Sequence, residues 1–137
     1  PFDGESWDRS SVVLSLRAIR GSVRDFDGFN VVIHEFAHQF DARVGESNGC
    51  PPMERELHER WAPAMRRAWD KLVEDAHGGK ETYLDPYGAE SPAEFFAVLT
   101  EEFLECPHGL EKMHPDLFAL LLDVYRFDPR EWHPAPV

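Results

Sequence analysis

Residues 31–41 combine an apolar helical pattern with polar side chains that a protein core accepts only when they have partners. Asn30 is suited to cap the start of this helix, and Gly45 to end it, with Arg43 favourably placed in the last turn. The apolar positions at helical spacing are Val32, Ile33, Phe36, Ala37 and Phe40. The pattern predicts a largely buried helix that runs to about residue 43.

His34, Glu35 and His38 form an H-E-x-x-H motif on this helix. Positions i and i+4 lie on one helix face about one turn apart, so both imidazoles can reach one ion. Glu35 lies about 100° around the helix from His34, where it can approach a metal-bound water without binding the metal. The motif predicts one Zn²⁺ ion, with Glu35 as the general base of a zinc peptidase. The alternative is a pair of hydrogen-bonded core histidines.

Asp41 lies on the same helical stripe as His34 and His38. It is about 10 Å along the axis from His34, and three residues in a row along a helix cannot surround one ion. We therefore expect Asp41 to orient a ligand histidine or to hold a neighbouring loop. A plain helix-surface aspartate is the alternative.

A catalytic zinc site needs a third protein ligand and one open position. The metzincin extension of the motif cannot supply it, because Asp41 and Val44 stand where that pattern has glycine and histidine. The third ligand must come from later in the chain. Spacing alone leaves open Glu54, Glu56, Glu59, Glu94, Glu101, Glu102, His58 and His77.

The remaining patterns predict helices and a small sheet at the N-terminal end. Alternating apolar residues over 10–17 indicate a strand with one buried face. Helices are predicted over 53–77, with a kink or break at Pro63, over 95–105, and from about residue 114. The acidic group Glu101, Glu102 and Glu105 is expected on a solvated helix face. We predict a single α+β domain over residues 1–137, mostly helical with a small N-terminal sheet.

Charge and cysteine content narrow the partners and the location. With 14 basic and 26 acidic residues the net charge is −12, which argues against binding to nucleic acid or anionic membranes. No apolar run approaches the ~18 residues of a membrane span, and the N-terminus lacks the pattern of a signal peptide. Cys50 and Cys106 are isolated in sequence, which favours free thiols in a reducing compartment. We therefore expect a cytoplasmic protein.

Two blocks of sequence resemble the Mlc titration factor A family of glucose-regulated zinc peptidases. The first covers residues 30–41, NVVIHEFAHQFD, and the second covers residues 87–99, YGAESPAEFFAVL. Shorter matches at residues 4–7, 12–15 and 125–129 extend the resemblance over nearly the whole chain. The resemblance implies a zincin-like metallopeptidase fold, similar to the catalytic domain of anthrax lethal factor.

The resemblance implies that Glu94 is the third zinc ligand. It also implies that Tyr87, seven residues earlier, faces the metal and stabilises the oxyanion. Spacing offers an alternative for each residue. Ser91 and Glu94 fit a capping box, in which the glutamate folds back onto the first residue of its helix. Tyr87 can instead anchor the turn that follows Asp85.

The combined prediction is a zinc-dependent peptidase that acts on peptide or protein substrates, with aminopeptidase-like activity implied by the family. The resemblance also implies binding to a transcriptional repressor. The alternative function is an interaction module that sequesters a repressor of glucose-uptake genes, with zinc structural or vestigial. Two departures from the family are expected. Its additional N-terminal region is absent from residues 1–137, and the segment between the two blocks is shorter than in enterobacterial members.

Overall fold

The chain, seen in a computed structural model, is described at residues 4–6, 12–14, 31–42 and 48–134, and is built mainly from helices there. The α-helices within these residues are α1 (Val31–Asp41), α2 (Arg55–His77), α3 (Pro92–Glu105), α4 (Pro107–Met113) and α5 (Pro115–Tyr125). Short 3₁₀ helices cover Pro86–Glu90 and Pro129–Trp132. No helix in the described part of the chain has both the length and the apolar character needed to cross a membrane.

The described strands are β1 (Gly4–Ser6) and β2 (Val12–Leu14), which pair antiparallel with Gly4 opposite Leu14. Both lie next to α1. The rest of the strand predicted over 10–17 lies outside the described residues. The predicted α+β class, which relied on a small N-terminal sheet, is wrong. The described chain is helical, and a ribbon of two three-residue strands cannot supply a layer that buries a core.

Helix α3 forms the centre of the core. A helix that is apolar on all sides is buried on all sides, and α3 is covered by α1, α4 and α5. Its buried apolar residues are Phe95, Phe96, Ala97, Val98, Leu99 and Phe103. The ring of Tyr125 stacks on Phe96 and Phe103, with centroid distances of 6.3 and 5.6 Å. The ring of Phe40, on α1, lies 6.5 Å from that of Phe96 and 5.3 Å from that of Tyr125, so this aromatic cluster also packs α3 against the helix that carries the H-E-x-x-H motif.

Helix α2 is continuous through Pro63, so of the kink or break predicted there the break is wrong. Proline has no N–H to donate, and the carbonyl of Glu59 therefore loses its helical partner. Trp61, Ala64 and Leu72 form an apolar stripe at helical spacing on α2 and are buried in the core. Tertiary packing of this stripe stabilises the helix more than the proline destabilises it.

Candidate metal centre

Helices α1 and α3 bring His34, His38 and Glu94 together. Nε2 of His34 lies 2.8 Å from one carboxylate oxygen of Glu94, and Nε2 of His38 lies 2.8 Å from the other. One possible ligand atom from each residue lies within 4.8 Å of the other two. The two histidines come from the motif. The glutamate is the one that the family resemblance implied.

The donor set is suited to zinc. Two imidazole nitrogens and one carboxylate are the ligands of one class of catalytic zinc site, in which the fourth position stays open. Both Nε2 atoms are directed at the same carboxylate, so the three groups already converge on one small volume. The residues present therefore fit a divalent zinc ion.

The start of α3 places Glu94. The hydroxyl of Ser91 accepts a hydrogen bond from the backbone N–H of Glu94 at 3.2 Å, and Pro92 occupies the first helical position. The Glu94 carboxylate faces the imidazoles, so the cap and the contact with both histidines coexist. Burial raises the pKa of Glu94, but the hydrogen bonds from His34 and His38 outweigh burial and lower that pKa to about 2.

Glu101 is the residue at this site that sequence reasoning missed. Its carboxylate accepts a hydrogen bond from Nδ1 of His34, and only 1% of the residue is exposed. The predicted solvated face of Glu101, Glu102 and Glu105 is wrong, because Glu101 and Glu105 are buried and Glu102 accepts a hydrogen bond from a tyrosine hydroxyl. A signal did exist in the sequence. Glu101 follows Glu94 by seven residues, which places both on one face of α3.

His34 lies between two carboxylates, with Glu94 at Nε2 and Glu101 at Nδ1. Burial lowers the pKa of His34, but the hydrogen bonds and negative charges of Glu101 and Glu94 outweigh burial and raise that pKa to about 9. At neutral pH both ring nitrogens are therefore protonated unless a metal ion competes for Nε2.

Tyr87 lies beside His34, and Glu35 is the next residue after His34 on α1. Glu35, on α1, is only 6% exposed. The ring of Tyr87 lies 6.0 Å from that of His34, measured between centroids, and the residue is 53% exposed. Partial burial raises the pKa of Tyr87, and the charge of Glu94, a hydrogen bond with Glu94, and the charges of Glu90 and Glu35 raise it further. The phenol is therefore a hydrogen-bond donor at neutral pH.

The backbone of Tyr87 also belongs to a turn. The carboxylate of Asp85 accepts a hydrogen bond from the Tyr87 N–H at 2.9 Å and caps the 3₁₀ helix. The turn-anchoring alternative thus describes the main chain of this residue, while its ring lies near His34.

Asp41 lies at the end of α1 and contacts the loop that follows. Its buried carboxylate accepts hydrogen bonds from the backbone N–H groups of Gly49, at 2.7 Å, and Cys50, at 3.0 Å. Gly49 has a φ of +83°, and a Cβ there would lie 2.4 Å from the carbonyl oxygen of Pro92. The loop therefore packs between the end of α1 and the first turn of α3 and contacts both. This geometry matches the loop-holding role among those expected for Asp41.

Comparison with known proteins identifies relatives over most of the chain. Residues 1–126 match the family of glucose-regulated metallo-peptidases M90. The chain is 40% identical to Mlc titration factor A of Pectobacterium atrosepticum and 39% identical to that of Yersinia enterocolitica, each over 129 residues. It is 38% identical to an uncharacterized protein of Synechocystis.

These matches cover 92% of the chain but only 47 or 48% of each relative. The chain therefore spans about half the length of the curated relatives it matches. The resemblance predicted from the two sequence blocks is confirmed by the match over residues 1–126. The chain belongs to the glucose-regulated metallo-peptidase M90 family.

Proposed function

We propose that this chain is a zinc-dependent peptidase domain in which His34, His38 and Glu94 hold one Zn²⁺ ion. The observation that carries the proposal is the convergence of both Nε2 atoms on the two oxygens of one carboxylate, each at 2.8 Å. Membership of a metallopeptidase family supports it.

When bound, zinc acts as a Lewis acid that acidifies water and polarises a carbonyl oxygen. Glu35 then serves as the general base, because it is a nearly buried carboxylate one residue from His34 and is not itself in the ligand set. It takes a proton from the attacking water and returns that proton to the leaving amine. Tyr87 donates a hydrogen bond from its phenol to the carbonyl oxygen as negative charge develops there.

The proposed substrates are peptides or proteins, with aminopeptidase-like activity as the form that the family resemblance implies. Half of the Tyr87 residue is exposed, so a peptide carbonyl can approach it from solvent. We place the protein in the cytoplasm, and two free cysteines, Cys50 and Cys106, are in keeping with a reducing compartment. Residues 1–137 act as one catalytic domain in this proposal.

The test is hydrolysis of a small peptide library by the zinc-loaded chain, with and without a chelator. Glu35→Gln keeps the size of the side chain but cannot accept a proton, so we expect cleavage to fall by about 10²–10⁴-fold while zinc content is unchanged. Glu81→Gln is the matched control, since Glu81 is exposed and is not in the candidate ligand set. Full cleavage by Glu35→Gln would remove Glu35 from the mechanism.

A second candidate function comes from the names of the relatives. Two of them are called Mlc titration factor A, which indicates binding to a protein called Mlc. We propose as the alternative that this chain binds a transcriptional repressor, with zinc structural or vestigial. Binding of purified repressor by Glu35→Gln and by chelator-treated protein separates the functions. The alternative would be favoured if Glu35→Gln and the chelator-treated protein both bind the repressor as well as untreated wild type does, and if the wild type cleaves no peptide.

A further inference from the structure

Glu101 is placed to act on His34 from the side opposite the proposed metal. Seven residues make about 700° of helix, so Glu94 and Glu101 lie within about 20° of each other on α3 and two turns apart. His34 spans this gap, with Nε2 on the Glu94 carboxylate and Nδ1 on the Glu101 carboxylate. Two carboxylates on one face of α3 therefore accept hydrogen bonds from both nitrogens of the same imidazole ring.

Glu101 is surrounded by buried residues, which argues against a purely structural role for a glutamate at this position. The residue is 1% exposed, and its neighbours along α3 from residue 95 to residue 100 are all buried. An ionised carboxylate in such a place costs free energy unless hydrogen bonds and opposite charge compensate for the lost water. An apolar side chain of similar size would pack there without that cost. A glutamate at this position therefore points to a function for its charge.

The contact determines which nitrogen of His34 is free to bind a metal. A carboxylate only accepts hydrogen bonds, so the ring must carry its proton on Nδ1. Nε2 then presents its lone pair toward Glu94 and His38 once a metal displaces its own proton. A carboxylate behind a ligand histidine also fixes the orientation of the ring and makes its lone pair a better donor.

We propose that Glu101 is a positioning residue that holds His34 as the Nδ1–H tautomer, with Nε2 aimed at the metal. This inference rests on the proposed metal site. Its effect is on metal affinity, because Glu101 lies behind the ring and is separated from the substrate side by His34. It does not require Glu101 to bind the metal.

Zinc affinity of the full chain, measured by competition with a chromophoric chelator, tests the proposal. Glu101→Leu replaces the acceptor by a slightly larger apolar side chain, and we expect zinc binding to weaken by about 10–100-fold. Glu101→Gln keeps an acceptor oxygen without the charge and should rescue part of that loss. Glu102→Gln is the matched control, since Glu102 lies on the same helix and contacts Tyr83, and its affinity should stay within about twofold of wild type.

A spectroscopic readout separates positioning from general damage to the fold. In the zinc-loaded wild type, proton–nitrogen NMR of His34 should show a proton on Nδ1 in a strong hydrogen bond. That resonance should move upfield or exchange away in Glu101→Leu, while circular dichroism still shows the helical content of the wild type. If Glu101→Leu does not fold, the Glu101→Gln affinity and resonance carry the test.

The outcomes are distinguishable. If the wild type binds zinc and Glu101→Leu binds it within about twofold of the wild-type affinity, only the inference about Glu101 is overturned. The same holds if Glu101→Gln leaves both affinity and the Nδ1 resonance unchanged. If the wild type itself binds no zinc, the proposed function is overturned and the inference fails with it.

Discussion

The candidate metal centre has two halves that are specified in different ways. The half on α1 comes from five consecutive residues, in which helix geometry alone places His34 and His38 on one face. The half on α3 comes from Glu94 and Glu101, which are 60 and 67 residues away from His34 in sequence. The first half depends on local spacing. The second depends on a loop, a cap and a buried helix that bring α3 to the correct distance and rotation.

Removing the proposed ligand on α3 should have the largest effect. Glu94→Gln replaces a charged ligand by a neutral amide, and we expect zinc affinity to fall by more than the ~100-fold typical of residues that only support a ligand. The measurement is the same chelator competition, with Glu81→Gln as the control. If Glu94→Gln binds zinc as tightly as the wild type, the Glu94 carboxylate has no part in binding.

The loop between the two halves should show the next largest effect. Gly49→Ala forces a side chain into a left-handed backbone position and against the Pro92 carbonyl, and we expect a loss of about 1–3 kcal/mol in the free energy of unfolding. Zinc affinity should fall as well, since Pro92 begins the helix that carries Glu94. Urea unfolding and chelator competition check the two effects.

Gly79→Ala is the control for this substitution. Gly79 also has a positive φ, of +71°, but nothing lies within 4 Å of the position that its Cβ would take. Gly79→Ala should lower the free energy of unfolding by only about 1 kcal/mol, which is the cost of a side chain in a left-handed backbone conformation, and should leave zinc affinity unchanged. Equal effects of the two substitutions on stability and on zinc would show that the contact with Pro92 does not position α3.

The cap of α3 should give the smallest effect. Ser91→Ala removes the acceptor for the Glu94 N–H and should reduce the free energy of unfolding by about 1 kcal/mol. Ser91→Asp retains an acceptor and should restore most of that stability. If Ser91→Ala weakens zinc binding more than Gly49→Ala does, the cap and not the loop positions Glu94.

Sequence alone was informative about the α1 half and about where helices lie. The H-E-x-x-H spacing, the range of α2 and the serine cap of α3 all follow from helix periodicity and capping rules. Phe36 is an exception, because it was expected on the buried face of α1 and is 58% exposed. Periodicity gives the angles between side chains around a helix, but it does not show which side of the helix the rest of the protein covers.

The α3 half could not be reached from spacing. Eight residues remained open for the third ligand, and only the resemblance to a family selected Glu94 among them. Glu101 was assigned to solvent because a run of acidic residues is usually a hydrated face. Its burial follows from contacts between α3 and α1 that are far apart in sequence. The α+β class failed for a similar reason, since alternation in a short segment does not show how many strands will join it.

The most direct test of the metal centre is the zinc content of the purified chain together with its zinc-edge X-ray absorption spectrum. We predict one zinc per chain and a shell of nitrogen and oxygen ligands at about 2.0–2.2 Å that includes two imidazoles. If the purified chain contains no zinc, or if the spectrum shows cysteine sulfur at about 2.3 Å from the zinc, the assignment of His34, His38 and Glu94 as ligands is contradicted.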